Sequence, residues 1–406
     1  MQETQDIMDS EDLALREELI SLHALNPFTP YSSSPRGLMF SGQFSQAIVI
    51  DHGETPIIQT GLERQLANNT FSKKTRSKCR VIGIIKRYNG ISAGSVSVVT
   101  EHTVILQDTE TLELDAIVIP YYHKLHQQYG FKYKLNDLVS RMDLLNKVLP
   151  ADYTLADSPG VSAEGDYSYG RPVNIAYMSI PEVTGDGVII SESLAKKFSF
   201  SVFETVVVEF GEKAHPLNLY GDDNNFQPFP ELGEDINDDR VIMATRDYET
   251  VLSPSLVSAK DMRRYDPNFD TAYYSKAGGK VVDIKVYDNT KARVSTYSTT
   301  TDQAKRYASA LKTYYNDVLS CYETQSRKHF GMYGKNVPVT ERFHRLLIDA
   351  YAMTESKRNV RYNYKNDIVD SYRIEFVIER KVTPSLRGYK LTTISGSNKF
   401  IAICVV

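Results

Sequence analysis

The spacing of apolar residues divides the chain into stretches of two periods. Thr301 to Lys328 carries Ala304, Tyr307, Ala308, Leu311, Tyr315, Val318, Leu319 and Tyr322 at i, i+3, i+4 intervals, which predicts a long amphipathic helix. Val339 to Ser356 repeats the pattern with Phe343, Leu346, Leu347, Ala350 and Tyr351. The Gly-containing link Gly331 to Val337 predicts that the two helices form an antiparallel hairpin, with their tyrosines used for packing.

Elsewhere the period is two. Val81 to Ile85, Ser95 to Thr100, Thr103 to Leu106 and Ala116 to Pro120 are β-branched runs separated by turn signals at Asn89-Gly90 and Glu101-His102, which predicts a meander. Val173 to Ile180 and Val188 to Ile190 read as further strands, and Phe198 to Tyr287 as a second β-rich region. Tyr372 to Arg380 and Phe400 to Val405 add two more strands. Near the start, Leu13, Leu15, Leu19, Leu22 and Leu25 outline a short helix, after which three prolines between Asn26 and Arg36 force extended and turn geometry. Leu38, Met39, Phe44 and Ala47 then return at helical spacing, the pattern of a core helix. The whole predicts a mixed, β-rich α+β fold.

With 406 residues, 41% hydrophobic and 24% charged, the chain can bury two or three cores. No apolar run is long enough to span a membrane, and the acidic stretch Met1 to Asp12 does not have signal-peptide character. The cysteines Cys79, Cys321 and Cys404 are too few and too scattered for a disulfide framework or a zinc site. A net charge of −4 argues against general coating of nucleic acid, but Lys73 to Arg80 holds five positive charges in eight residues, either a solvated face or a local nucleic-acid contact.

Candidate chemistry is concentrated at the end of the chain. Lys390 and Lys399 bracket a small polar loop that includes Asn398, where backbone N–H groups and two mobile cations can hold phosphates. On its own this is equally the pattern of a solvated hairpin. Asp186, between two glycines ahead of the Val188 run, is either a turn residue or a metal ligand. The acidic loop Asp222 to Asp239 lacks the spacing of a calcium loop, and no Ser/His/Asp order, Cys/His pair or HExxH motif occurs.

Taken in order, several blocks resemble the second-largest (β) subunit of multisubunit DNA-directed RNA polymerases. Ser34-Pro-Arg-Gly-Leu-Met-Phe-Ser-Gly-Gln-Phe-Ser-Gln46 is similar to that family's SPR/RALM…Q segment, and Pro56-Ile-Ile-Gln-Thr-Gly-Leu-Glu-Arg64 to its PLVGTGME continuation. Leu155-Ala-Asp-Ser-Pro159 resembles LADGP, and Gly170 to Met178 with Gly185 to Glu192 resembles GxNxxVAFM…EDSILISE, with Gly185 where the family usually has Glu. Gly279 to Tyr287 is similar to the flap strand GxVIDVxVF. Gly388-Tyr-Lys390 and Gly396-Ser-Asn-Lys399 resemble the GDK…GNKG loop, with Ser397 as an extra residue.

The resemblance covers about residues 26 to 402, against only the middle-to-late part of a full β subunit, and implies a split polymerase of the giant-bacteriophage type. It implies double-psi β-barrel pieces and a hybrid-binding region over 26–197, behind an N-terminal helix at 1–25. A flap-like domain would occupy 198–382, with a helical-hairpin insertion at 301–357, and a barrel-return segment 383–406. It further implies that Lys390 and Lys399 neutralise phosphates of the RNA end and nucleotide, that Arg36, Gln46 and Asn398 line the same nucleotide and RNA site, and that Asp186 approaches a second Mg2+. Magnesium would be held mainly by aspartates of a β′-like partner, and no zinc is implied. Partners would be other split β-like and β′-like polypeptides, DNA template, RNA transcript, nucleoside triphosphates and a specificity factor, in the cytoplasm of an infected bacterial host or packaged in a virion. The contrasting reading is a non-enzymatic, β-rich phage structural or nucleic-acid-binding protein derived from a polymerase fragment, and a third is a transcription regulator built on such a fragment.

Overall fold

The computed structural model describes residues 25–44, 48–67, 71–88, 98–126, 128–168, 170–174, 190–211, 214–222, 225–247, 261–289, 302–354 and 372–383. Helices α1 (Ser34–Phe44) and α2 (Glu63–Leu66) precede a short strand β1 (Ser72–Lys74) and the expected meander β2 (Cys79–Tyr88), β3 (Val99–Asp108) and β4 (Leu114–Pro120). Then come β5 (Tyr122–His126), β6 (Tyr129–Lys132), β7 (Lys134–Leu135), α3 (Asp137–Ser140), β8 (Val148–Leu149) and β9 (Thr154–Asp157). The four-stranded sheet runs β4-β3-β2-β8, and β1-β9-β7 forms a small sheet beside it.

The Glu101-His102 turn predicted from sequence is absent. Both residues lie inside β3, where Glu101 pairs with Arg87 and Pro120, and His102 with Lys86 and Ile119. Two adjacent polar residues read as a turn, but Glu101 is polar because it faces a buried arginine.

The second half begins with α4 (Glu192–Lys197), β10 (Phe200–Phe210), β11 (Ala214–Pro216), β12 (Val241–Asp247), β13 (Asp270–Tyr274) and β14 (Lys280–Asp288). It continues with α5 (Asp302–Tyr333), α6 (Glu341–Thr354) and β15 (Tyr372–Val382). A five-stranded sheet runs β14-β15-β10-β6-β5, and β11-β12-β13 forms a three-stranded one. The architecture is mixed α+β, with two sheets curled into open half-barrels. Strands β10 and β15 are antiparallel in unbroken register from Phe200↔Val382 to Phe210↔Tyr372, so sequence positions far apart share one core. At the start of β14, Gly279 has φ +136, and a Cβ there would lie 2.5 Å from the Glu379 carbonyl oxygen, so glycine is required both by conformation and by space.

Helix α5 packs on both large sheets. Its first turns put Ala304 and Tyr307 into the core that holds Val208, Val286, Ile374 and Phe376. Further along, Tyr314, Val318 and Leu319 pack with Ile105, Leu114, Phe343 and Leu347. Leu311 meets Met353 while Tyr322 meets Phe343 edge-on at 5.9 Å, so α5 and α6 run antiparallel, as the sequence predicts. The helix passes closely over β2, where a Cβ at Gly83 would approach Cys321 Sγ to 3.0 Å. No described helix is long and apolar enough to cross a membrane.

Candidate functional site

Helix α1 carries the expected site residue that lies within the described residues, Arg36. The helix is entered from a turn in which Asn26 Oδ1 accepts the Phe28 N–H at 3.1 Å and Thr29 Oγ1 donates to the Asn26 carbonyl at 3.0 Å. Phe40 packs on the first core, but Arg36 is exposed, with Nη1 3.7 Å from Met39 Sδ. Leu38 is 76% and Met39 55% exposed. The core helix expected here is corrected at Leu38 and Met39, which have no core above them; the Phe44 side chain and Ala47 lie outside the described residues.

Gln46, Asp186, Lys390, Asn398 and Lys399 lie outside the described residues. The described residues that flank them in sequence meet at one place. Ile48, two residues after Gln46, is buried with Phe200 and Val202, and Val382 packs on the same cluster. Asp51 gathers the rest: its Oδ2 accepts Ser199 Oγ at 3.0 Å and pairs with Lys381 Nζ at 2.9 Å, and its N–H donates to the Ser199 carbonyl at 2.9 Å. Three residues on, Glu54 bridges to Gly170, and Arg171 binds both the Glu54 carboxylate and the His52 carbonyl. Residues 170–171, 199–202 and 381–382 thus share one anchoring strip, 48–54.

The block around Glu63 has a structural use. Its buried carboxylate accepts the Thr60 N–H at 2.7 Å, the Gly61 N–H at 2.8 Å and the Thr60 hydroxyl at 3.1 Å, which satisfies the turn before α2. Ser72 Oγ donates in the same structural manner to Asp157 at 2.7 Å, joining β1 to β9.

The chief electrostatic feature is one the sequence reading missed. Arg87 of β2 makes a two-pronged contact to Asp283 of β14 at 3.0 and 2.8 Å, with Glu101 Oε2 3.7 Å away. The side chains of Arg87 and Asp283 are only 3% and 2% exposed. Burial alone would lower the Arg87 pKa, but the Asp283 and Glu101 carboxylates outweigh it and hold the guanidinium charged. Tyr314 of α5 closes this junction with its hydroxyl 2.6 Å from Thr103 Oγ1, and burial pushes its phenol well above the ordinary range. The one local signal is Asp283, a charge between Val282 and Ile284 in β14; Arg87 and Glu101, beside Lys86, Thr100 and His102, carry none.

The Lys73–Arg80 run is divided by its surroundings. Lys73 Nζ lies 5.6 Å from the Tyr133 ring centre, and burial, then Arg342, lower its pKa. Arg76, Lys78 and Arg80 are exposed at alternate positions. Glu231 of the expected acidic loop binds Arg306 at 2.7 Å and the Tyr307 hydroxyl, so it anchors α5. Among the described residues, no group of three or more His, Cys, Asp or Glu side chains could hold a metal.

No protein-family model matches the chain. Curated relatives are bacterial DNA-directed RNA polymerase β subunits. That of Lysinibacillus sphaericus is 25% identical over 233 residues, covering 56% of this chain and 18% of the relative. Those of Fusobacterium nucleatum and Oleidesulfovibrio alaskensis are 26% and 27% identical over 220 and 225 residues, covering 54% of this chain in both cases and 16% and 15% of the relatives. The chain thus spans less than a fifth of the length of these relatives. The similarity is a distant, partial-coverage homology to bacterial RNA polymerase β subunits.

Proposed function

We propose that the chain is a β-like component of a multisubunit DNA-dependent RNA polymerase and lines the nucleotide and RNA 3′-end site opposite a β′-like partner. The observation that carries this reading is the homology to bacterial β subunits. The convergence of described residues 170, 199–202 and 381–382 on strip 48–54 supports it, because it joins parts of the chain that belong to separate blocks of the resemblance.

The reaction is nucleotidyl transfer: the RNA 3′ oxygen forms a bond to the α-phosphorus, the α–β phosphoanhydride bond breaks, and pyrophosphate leaves. In this reading magnesium is held mainly by aspartates of the β′-like partner, Asp186 approaches the second ion, and this chain contributes fixed charge. Lys390 and Lys399 neutralise developing negative charge on the phosphates, while Arg36 and Gln46 orient the transcript end. Exposure of Arg36, Leu38 and Met39 on α1 fits a helix completed by nucleic acid and a second polypeptide. A giant-phage origin and a double-psi barrel with a flap belong to the same proposal.

The test is co-expression with candidate β′-like chains, purification through this chain, and magnesium-dependent primer extension. Lys399→Ala should leave assembly intact and slow elongation by about a hundredfold, the usual effect of losing one preorganised charge donor. Failure of any β′-like chain to co-purify, or unchanged elongation, would remove this chain or this residue from the site.

A further inference from the structure

Helix α5 has an end whose composition packing does not explain. Its last buried residue is Leu319, and the helix continues to Tyr333. Cys321 and Tyr322 still pack on that core, which leaves about 16 Å of helix beyond them, at 1.5 Å per residue, without a core contact. The end presents Phe330, Met332 and Tyr333 at 58%, 78% and 55% exposure. From Thr324 to Thr340 there is no Asp or Glu; Arg327 pairs with Glu323 one turn back at 3.2 Å, which leaves Lys328 and Lys335 as the cations of the tip, in a chain of net charge −4.

The end is also well ordered locally. Gly334, at φ +65, donates its N–H to the Phe330 carbonyl at 2.8 Å and caps the helix. His329 Nδ1 lies 3.0 Å from the Lys335 carbonyl, and its ring sits 4.7 Å from the Tyr333 ring. Cations at a helix C-terminus are favoured by the macrodipole, but the dipole gives no reason to expose three large apolar side chains beside them.

We infer that this tip is a binding site for single-stranded RNA, in which Phe330 and Tyr333 stack unpaired bases and Lys328 and Lys335 meet the phosphates. Charge complementarity selects an anionic ligand, and exposed rings beside cations are the pairing that single-strand binders use. Peptide ligands are recognised in grooves or at sheet edges, and a projecting helix end offers neither. The choice of RNA over DNA rests on the polymerase reading; the site itself does not.

The experiment uses the full chain alone with a fluorescent oligouridine of about 16 nucleotides, the upper site size of single-strand binders. Ultraviolet crosslinking followed by trypsin should place the adduct on the peptide His329 to Lys335. Phe330→Ala/Tyr333→Ala should weaken binding at least about tenfold with an unchanged thermal melt, as loss of base stacking predicts. Lys328→Ala/Lys335→Ala should flatten the slope of log affinity against log salt by about 1.4, two phosphate contacts' worth on a single strand. Absence of RNA binding, adducts confined to other peptides, or unaltered affinity of the double-ring variant each overturns the inference. So does capture of a labelled Asp-rich peptide at the tip in place of RNA. Failure to find a β′-like partner would leave this result standing, because no partner enters the assay.

Discussion

The junction around Arg87 and the surface of α1 invert the usual distribution of side chains. At the junction three charged residues, Arg87, Glu101 and Asp283, are buried between the β2–β4 sheet and β14. On α1, Leu38 and Met39 are exposed. Charges inside a protein must be paired there, so the junction is closed within this chain and ties two sheets from opposite halves of the sequence together. Leu38 and Met39 are left outside, and under the proposed function another molecule packs on them. One region joins distant parts of the chain, and the other is the face that the proposed function assigns to another molecule.

The largest expected effect breaks the first side of that comparison. Arg87→Met strands Asp283, and partly Glu101, in the interior without a counter-charge, and removal of one partner of a buried pair costs about 3–5 kcal/mol. Urea unfolding should show the loss. Arg87→Met/Asp283→Leu should recover the part due to Asp283, since that stranded charge is removed, and leave the part due to Glu101. A loss under about 1 kcal/mol for the single variant would mean that solvent reaches the junction, and the contrast with α1 would disappear.

The junction also shows where the sequence could be read and where it could not. The hairpin α5–α6, the meander and the β10–β15 strands follow from apolar periodicity, because each buries one face. The pairing of Arg87 with Asp283 spans 196 residues and leaves no local pattern, so Glu101-His102 read as a turn. The exposure of Leu38 and Met39 was equally hidden, since periodicity reports an apolar face and not what covers it. Of the site, the sequence supplied residue types and their order along the chain. Strip 48–54 depends on Asp51 meeting Ser199 and Lys381 from distant segments, which no local pattern announces.

A smaller effect probes the junction's edge through pH. His102, next to Glu101 in β3, has its pKa pushed down to about 4, by burial first and then by Lys86. His215 is pushed down to about 4 by burial and then by Arg246. An unfolded histidine titrates near pH 6.5, so both groups bind protons in the unfolded chain before they do in the folded one. Their contribution to stability is complete above about pH 6.5 and is lost as pH falls towards about 4. Urea midpoints should therefore decline from pH 7 to pH 5, with uptake of up to two protons on unfolding. His102→Gln should remove about half of that slope. An unchanged slope would show that the β3 edge beside the junction is open to water.

The smallest expected effect on stability tests the other side. Leu38→Ser/Met39→Ser alters two side chains that this chain does not bury, so the urea midpoint should move by no more than about 0.5 kcal/mol. Helix propensity accounts for part of even that change, because serine is a poorer helix former than leucine or methionine. The same variant, carried into co-purification with a β′-like chain, should lose assembly or elongation out of proportion to its effect on folding. Were the midpoint to fall by about 2 kcal/mol instead, the two side chains would be packed within this chain after all. A variant silent in both measurements would leave α1 as ordinary surface, because scattered exposed apolar residues need no partner. Only the combination of unchanged folding and impaired assembly makes α1 the counterpart of the junction, an apolar face whose burial is supplied by another molecule.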